Sequence, residues 1–149
     1  MKIISNNFLE TQKIGKQLAK SFLSCKNKEA IVINLIGNLG SGKTTFVQGF
    51  ASGLGIKKKI LSPTFVILNK FKIKNRYFYH IDCYRLESVK EIKDLGFKEI
   101  IKNPQNIILI EWGDKIKRML PKNTVKIKFN IFKKDKRIIS YEEKDICSN

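Results

Sequence analysis

The sequence predicts an α/β fold in which helices flank a central mixed β-sheet and an antiparallel hairpin lies at the C-terminal end. Three stretches predict it. Ile31-Val32-Ile33-Asn34-Leu35-Ile36 is an apolar run of strand length that opens through a glycine-rich turn into helix-forming residues. Ile107-Ile108-Leu109-Ile110 is a second continuous apolar run, the mark of a central strand buried on both faces. Thr124 to Ile131 alternates apolar and polar, as a half-buried strand does.

Taken in order, Lys2-Ile3-Ile4 is a short strand candidate. Asn7 caps a helix, with Glu10 as the reciprocal partner of a capping box. From Phe8 to about Ser24, Thr11, Ile14, Gly15, Leu18 and Phe22 fall on one helical face. The helix after Lys43 stops near Gly53-Leu54-Gly55. Lys57-Lys58-Lys59 is a solvated turn, and Pro63 excludes a helix from Ser62-Pro63-Thr64-Phe65. Residues 64–82 form a hairpin turning near Asn75. Leu86 to Ile101 is helical, with Gly96 a point where it divides, and Pro104 ends it. Asp114 to Leu120 is a short helix stopped by Pro121, and 124–141 forms the terminal hairpin. Residues 142–149 read as a loose tail of a single domain spanning 1–149.

Composition bounds the function. The formal charge of +17 is mostly lysine spread along a chain rich in Lys, Ile and Asn, which reads first as compositional drift; a nucleic-acid footprint is the alternative. No run approaches the roughly 18 apolar residues of a membrane span. The first residues lack a signal-peptide pattern, so a cytoplasmic protein without membrane contact is expected. Cys25, Cys83 and Cys147 have no C-x-x-C spacing and read as reduced and incidental, with Cys83 in or beside the core.

The chemistry centres on Gly37-Asn38-Leu39-Gly40-Ser41-Gly42-Lys43-Thr44, a match to the phosphate-binding P-loop pattern G-x-x-x-x-G-K-[ST] between a strand and a helix, which makes the predicted fold a single P-loop NTPase domain. The glycines let backbone N–H groups turn inward as an anion nest, and the helix N-terminus adds partial positive charge. Lys43 reaches the β- and γ-phosphates, and the Thr44 hydroxyl is suited to Mg²⁺. A nucleoside triphosphate is therefore the predicted ligand.

Metal binding and hydrolysis need acids. Glu111 and Asp82 each end an apolar strand, and Glu111 holds a Walker-B-type position. Ser62 and Thr64 lie in a hydroxyl-rich loop suited to sensing the γ-phosphate. His80, the single histidine, reads as a packed residue, and Trp112 as a core or interface aromatic. GTP is disfavoured: Asn69-Lys70-Phe71-Lys72 carries a lysine where an Asn-Lys-x-Asp guanine signature needs its acid. A small-molecule kinase would bring an arginine-rich lid, and Arg76, Arg85, Arg118 and Arg137 do not cluster. That kinase and a nucleotide-gated RNA-binding module remain the alternative functions.

Together, Gly37 to Phe46, Ser62-Pro63-Thr64-Phe65, His80-Ile81-Asp82-Cys83-Tyr84-Arg85-Leu86 and Ile110-Glu111-Trp112 resemble the bacterial TsaE (YjeE) family in order and spacing over essentially the whole chain. The resemblance implies a small ATPase required for threonylcarbamoyladenosine formation at position 37 of tRNAs reading ANN codons. It implies the partners TsaD and TsaB, with tRNA reached through their complex, and ATP and Mg²⁺ as cofactors. By the same resemblance, Gly40, Ser41, Gly42, Lys43, Thr44 and Thr45 bind phosphates, and Thr44 and Glu111 hold Mg²⁺. Asp82 is required for hydrolysis through Mg²⁺ or water positioning. Thr64 lies in a switch-like loop, Trp112 lies beside the nucleotide, and Thr11 approaches it. Asn38 and Cys83 depart from the residues commoner in the family, and neither removes a phosphate or metal ligand.

Overall fold

The computed structural model describes residues 1–61, 66–142 and 147. In chain order the elements are β1 (Lys2–Ser5), α1 (Phe8–Leu23), β2 (Ile31–Ile36), α2 (Lys43–Gly53), β3 (Leu68–Ile73), β4 (Arg76–Asp82), α3 (Val89–Asp94), α4 (Phe97–Lys102), β5 (Asn106–Glu111), a 3₁₀ segment (Gly113–Met119), β6 (Val125–Lys133) and β7 (Lys136–Ser140). Among the described residues the strands form one sheet of seven in the order β1-β7-β6-β2-β5-β4-β3. The pairs β6–β2, β2–β5 and β5–β4 are parallel. The outer pairs β1–β7, β7–β6 and β4–β3 are antiparallel. This is the mixed sheet that the apolar runs predict: β2 and β5, the most continuous runs, take the middle.

The side-chain period of two divides the apolar residues between two layers. On one face Ile33, Leu35, Leu109 and Ile127 pack with Leu18, Phe22, Phe46 and Phe50 of α1 and α2. On the other, Val32, Tyr79, Ile81, Ile108 and Ile110 pack with Ile92 of α3, Phe97 of α4 and Ile116 of the 3₁₀ segment. The second layer stops at β2. Beyond it the same face of β6 carries Lys126, Lys128 and Asn130, all exposed.

Local signals hold with small shifts. Asn7 Oδ1 accepts from Glu10 N at 2.9 Å, but Glu10 Oε2 reaches back past the N-cap to Asn6 N at 2.7 Å, one residue beyond the reciprocal bond expected. Gly96, at φ 78°, divides the expected 86–101 helix into α3 and α4. The helix expected at 114–120 is 3₁₀ in form. α1 lies close against α2 because small residues meet there. A Cβ on Gly49 would fall 2.0 Å from Gln12 O, and one on Gly15 2.4 Å from Phe46 O.

The cysteine reading is corrected in part. Cys83 is buried and free, as expected, but Cys25 and Cys147 form a disulfide with Cα atoms 5.1 Å apart. Spacing rules see local pairs, whereas the fold brings together residues separated by 122 positions. Of the expected loose tail, only Glu142 and Cys147 fall within the described residues, and the disulfide ties Cys147 to the segment just after α1. No helix among the described residues is long and apolar enough to cross a membrane.

Candidate functional site

The loop from Gly37 to Gly42 joins the C-terminal end of β2 to α2. Gly40 and Gly42 sit at φ 73° and 97°, the left-handed region that a side chain disfavours. Gly42 is the N-cap of α2 and supplies no side-chain cap, so the first-turn N–H groups are offered to a ligand. The next residue, Lys43, is buried, and its ammonium donates to Gly37 O at 2.7 Å and Asn38 O at 2.9 Å. It also sits 4.8 Å from the centre of the Trp112 ring. Burial holds the Lys43 pKa below the ordinary lysine range, and the nearby charges of Glu111 and Asp82 pull it partly back up.

Sheet register brings the acids together. β4 and β5 run parallel with Asp82 directly opposite Glu111, and Glu111 is in turn opposite Leu35 at the end of β2. Strand parity puts both carboxylates on the α1–α2 side of the sheet, where α2 begins. Glu111 is 3% exposed and its Oε1 pairs with His80 Nε2 at 2.9 Å. A carboxylate only accepts, so Nε2 is the donor of this bond, and Nδ1 is buried and unpartnered among the described residues. Asp82 is half-buried and its Oδ1 accepts from Tyr84 N at 2.9 Å.

A cleft of about 420 Å³ gathers most of the expected residues: Gly40, Gly42, Lys43, Thr44, Thr45, Asp82, Glu111 and Trp112 all line it. Ser41 is 1% exposed and its hydroxyl, unpartnered among the described residues, is tucked under the loop. Thr11 is 2% exposed, with its hydroxyl 2.7 Å from Ser5 Oγ and 3.3 Å from Asn7 O. Its methyl carbon lies 3.8 Å from where a Gly42 Cβ would be, so Thr11 backs the loop rather than opening onto the cleft. Ser62 and Thr64 lie outside the described residues.

Three features of the site escaped the sequence reading. Arg137, at the start of β7, donates to Gly40 O at 3.2 Å and, through Nη1, to the carbonyls of Lys133, Lys134 and Lys136. It ties the hairpin turn to the loop over 97 residues, a contact with no local signal. Tyr84 packs its ring 5.1 Å from that of Trp112. His80, read as a packed residue, is packed, but against Glu111; its place two residues before Asp82 on one strand face is the signal that could have shown this. Trp112 itself adopts φ 57°, a left-handed conformation costly for a bulky residue, and its indole lies under the Lys43 ammonium.

The donor set fits Mg²⁺. Two carboxylates and the Thr44 hydroxyl are hard oxygen donors beside a phosphate-binding loop. Among the described residues no group of three His, Cys, Asp or Glu side chains forms a metal cage. Mg²⁺ typically takes one or two carboxylates together with substrate phosphates.

Comparison with known proteins gives a consistent result. The family described as "Threonylcarbamoyl adenosine biosynthesis protein TsaE" matches residues 5–139. The tRNA threonylcarbamoyladenosine biosynthesis protein TsaE of Rickettsia felis is 38% identical over 139 residues, covering 93% of this chain and 77% of that protein. The protein of the same name from Bacillus subtilis is 39% identical over 132 residues, covering 89% and 78% respectively. The crystal structure of Bacillus subtilis YdiB superposes with a TM-score of 0.72 at 31% identity, covering 95% of this chain and 83% of that one. With its loop, its paired acids and this similarity along nearly its whole length, the chain belongs to the TsaE family of threonylcarbamoyladenosine biosynthesis proteins.

Proposed function

We propose that this chain binds ATP with Mg²⁺ and hydrolyses it as a subunit of the machinery that forms threonylcarbamoyladenosine at position 37 of tRNAs reading ANN codons, acting with TsaD and TsaB in the cytoplasm. The observation that carries this reading is the register that sets Asp82 opposite Glu111 in the cleft headed by Lys43. A loop that only held phosphates would have no need of two acids across from its lysine.

Each residue has a task in this reading. The N–H groups of Gly40 to Thr45 cradle the phosphates. Lys43 leaves the Gly37 and Asn38 carbonyls and neutralises charge developing on the transferred phosphoryl group. Thr44 and Glu111 would hold Mg²⁺, with Asp82 beside them; when bound, the ion supplies further charge neutralisation across the phosphates. Asp82 orients the attacking water, and His80 holds Glu111 by one oxygen so that the other faces the cleft. Trp112 closes the cleft beside the nucleotide. Ser62 and Thr64 sense the γ-phosphate and pass its loss to a partner, while tRNA is modified on the partner complex.

The test is tRNA modification by TsaD and TsaB over multiple turnovers, with and without this chain and ATP. Modification that needs both additions, and is lost with Lys43→Ala, is the expected outcome. Equal turnover without the chain, or with Lys43→Ala, would overturn the proposal. A non-water phosphoryl acceptor found in the same mixtures would favour a kinase instead.

A further inference from the structure

On the sheet face that the second helical layer leaves bare, a groove of about 870 Å³ runs between β6 and the 3₁₀ segment and ends at the P-loop. Lys126 and Lys128 of β6 form one wall, continued by Asn130 on the same strand face, Lys117 and Lys122 line the groove from the 3₁₀ segment and the turn after it, and Asn34 of β2 sits beside Lys126. Asp114 is the one acidic residue in the lining among the described residues. None of the four ammonium groups has an ion-pair or hydrogen-bond partner among the described residues. Asn34 is 6% exposed, and its Oδ1 lies against Gly113 without a hydrogen-bond partner among the described residues. A buried amide is a poor choice for a strand floor that merely faces solvent.

We infer that this groove binds an RNA strand directly, with its lysines on the phosphates and the exposed Asn130 amide toward the bases. Charge argues for a polyanion: four unpaired cations face one acid. Spacing argues for a strand-shaped one. Lys126 and Lys128 alternate along one strand face and so stand about 6.6 Å apart in a row, as repeated charges on a single backbone require. An exposed amide at the end of the lysine row suits base edges, which offer both donors and acceptors, better than an acidic protein surface, which offers mainly acceptors. The groove shares Trp112 with the nucleotide cleft, so an RNA strand seated in it would end beside the P-loop. This inference does not depend on ATP hydrolysis, and either can fail alone.

The test is fluorescence anisotropy with the full chain and a labelled, unmodified tRNA transcript, without partner proteins or nucleotide, between about 50 and 200 mM salt. Four phosphates engaged predict saturable binding whose log K falls with log salt at a slope of about −3. Lys126→Ala with Lys128→Ala should weaken binding at least roughly tenfold and bring the slope toward about −1.5. Lys57→Ala with Lys58→Ala removes the same charge from the basic turn after α2, outside the groove, and should change affinity by less than about twofold. Circular dichroism checks the fold, and Lys126→Gln with Lys128→Gln keeps side-chain bulk should the alanines perturb the strand. Equal losses from the two lysine pairs would mean diffuse attraction and overturn the groove. So would absent binding, or competition by polyglutamate as effective as competition by polyuridine at equal charge.

Discussion

His80 Nε2 lies 2.9 Å from Glu111 Oε1 between adjacent strands, with the imidazole fully buried and the carboxylate 4% exposed at the wall of the cleft. The pair is the point where core and site are the same object. Removing the imidazole opens a cavity and leaves a buried carboxylate without its donor. His80→Ala should therefore cost about 2–4 kcal/mol of stability, read as a lower urea midpoint at unchanged m. In the surviving folded fraction, ATP affinity should lose its Mg²⁺ dependence before its Mg²⁺-free value. Equal losses in both would make His80 a packing residue alone.

Lys43 and Trp112 offer an optical readout. The indole is the only one in the chain and lies under the Lys43 ammonium. Drawing that cation toward phosphates changes the field on the ring. ATP should shift Trp112 emission in the wild-type chain and leave it unchanged in Lys43→Ala. A normal shift in the variant would separate the tryptophan from the phosphate site.

Asp82 can be stripped of charge without losing its structural bond. Asparagine keeps an Oδ1 to accept from Tyr84 N. Asp82→Asn should stay within about 0.5 kcal/mol of wild-type stability. Its ATP hydrolysis with the partner complex should fall by about 10²-fold or more. Retained turnover would move water positioning to another residue.

The α1–α2 contact tolerates no side chain at Gly49, where a Cβ would lie 2.0 Å from a backbone oxygen. Gly49→Ala should destabilise by about 1–3 kcal/mol or more, measured by chemical denaturation. Gly55→Ala, with nothing within 4 Å of its Cβ, meets only the strain of φ 87° and should cost about 1 kcal/mol.

Thiol counting tests the cysteines. Burial above all, reinforced by Asp82, pushes the Cys83 thiol up to about 12. The native chain should therefore resist alkylation near pH 8.5. Denatured without reductant it should take up one label, and with reductant all three cysteines should react. The proton held by folded Cys83 stabilises the native state below the ordinary value of 9.0, and that contribution is lost as pH rises from there toward about 12. Cys83→Ala should flatten this part of the alkaline stability loss.

Much of this was legible in one dimension. Strand β2, the loop and the start of α2 follow from the apolar run and the glycines, because phosphate binding by backbone N–H groups is a local structure. The pairing of β6 with β7 follows from alternation around a polar turn. Local rules missed what is made by register. Nothing near His80 states that β4 runs parallel to β5, and only that pairing sets His80 and Asp82 beside Glu111. Arg137 reaches Gly40, and Cys25 meets Cys147, across most of the chain.

The sequence by itself determined the phosphate loop, the strand-ending acids and the family, since each rests on residue type at short spacing. Tertiary structure decided how these parts meet. It tucked Lys43 onto its own loop over the Trp112 ring, turned the Thr11 hydroxyl inward, and left one face of β6 bare and basic. The physical reason is that side-chain direction in a sheet depends on parity and register, and register is set by burial across the whole domain.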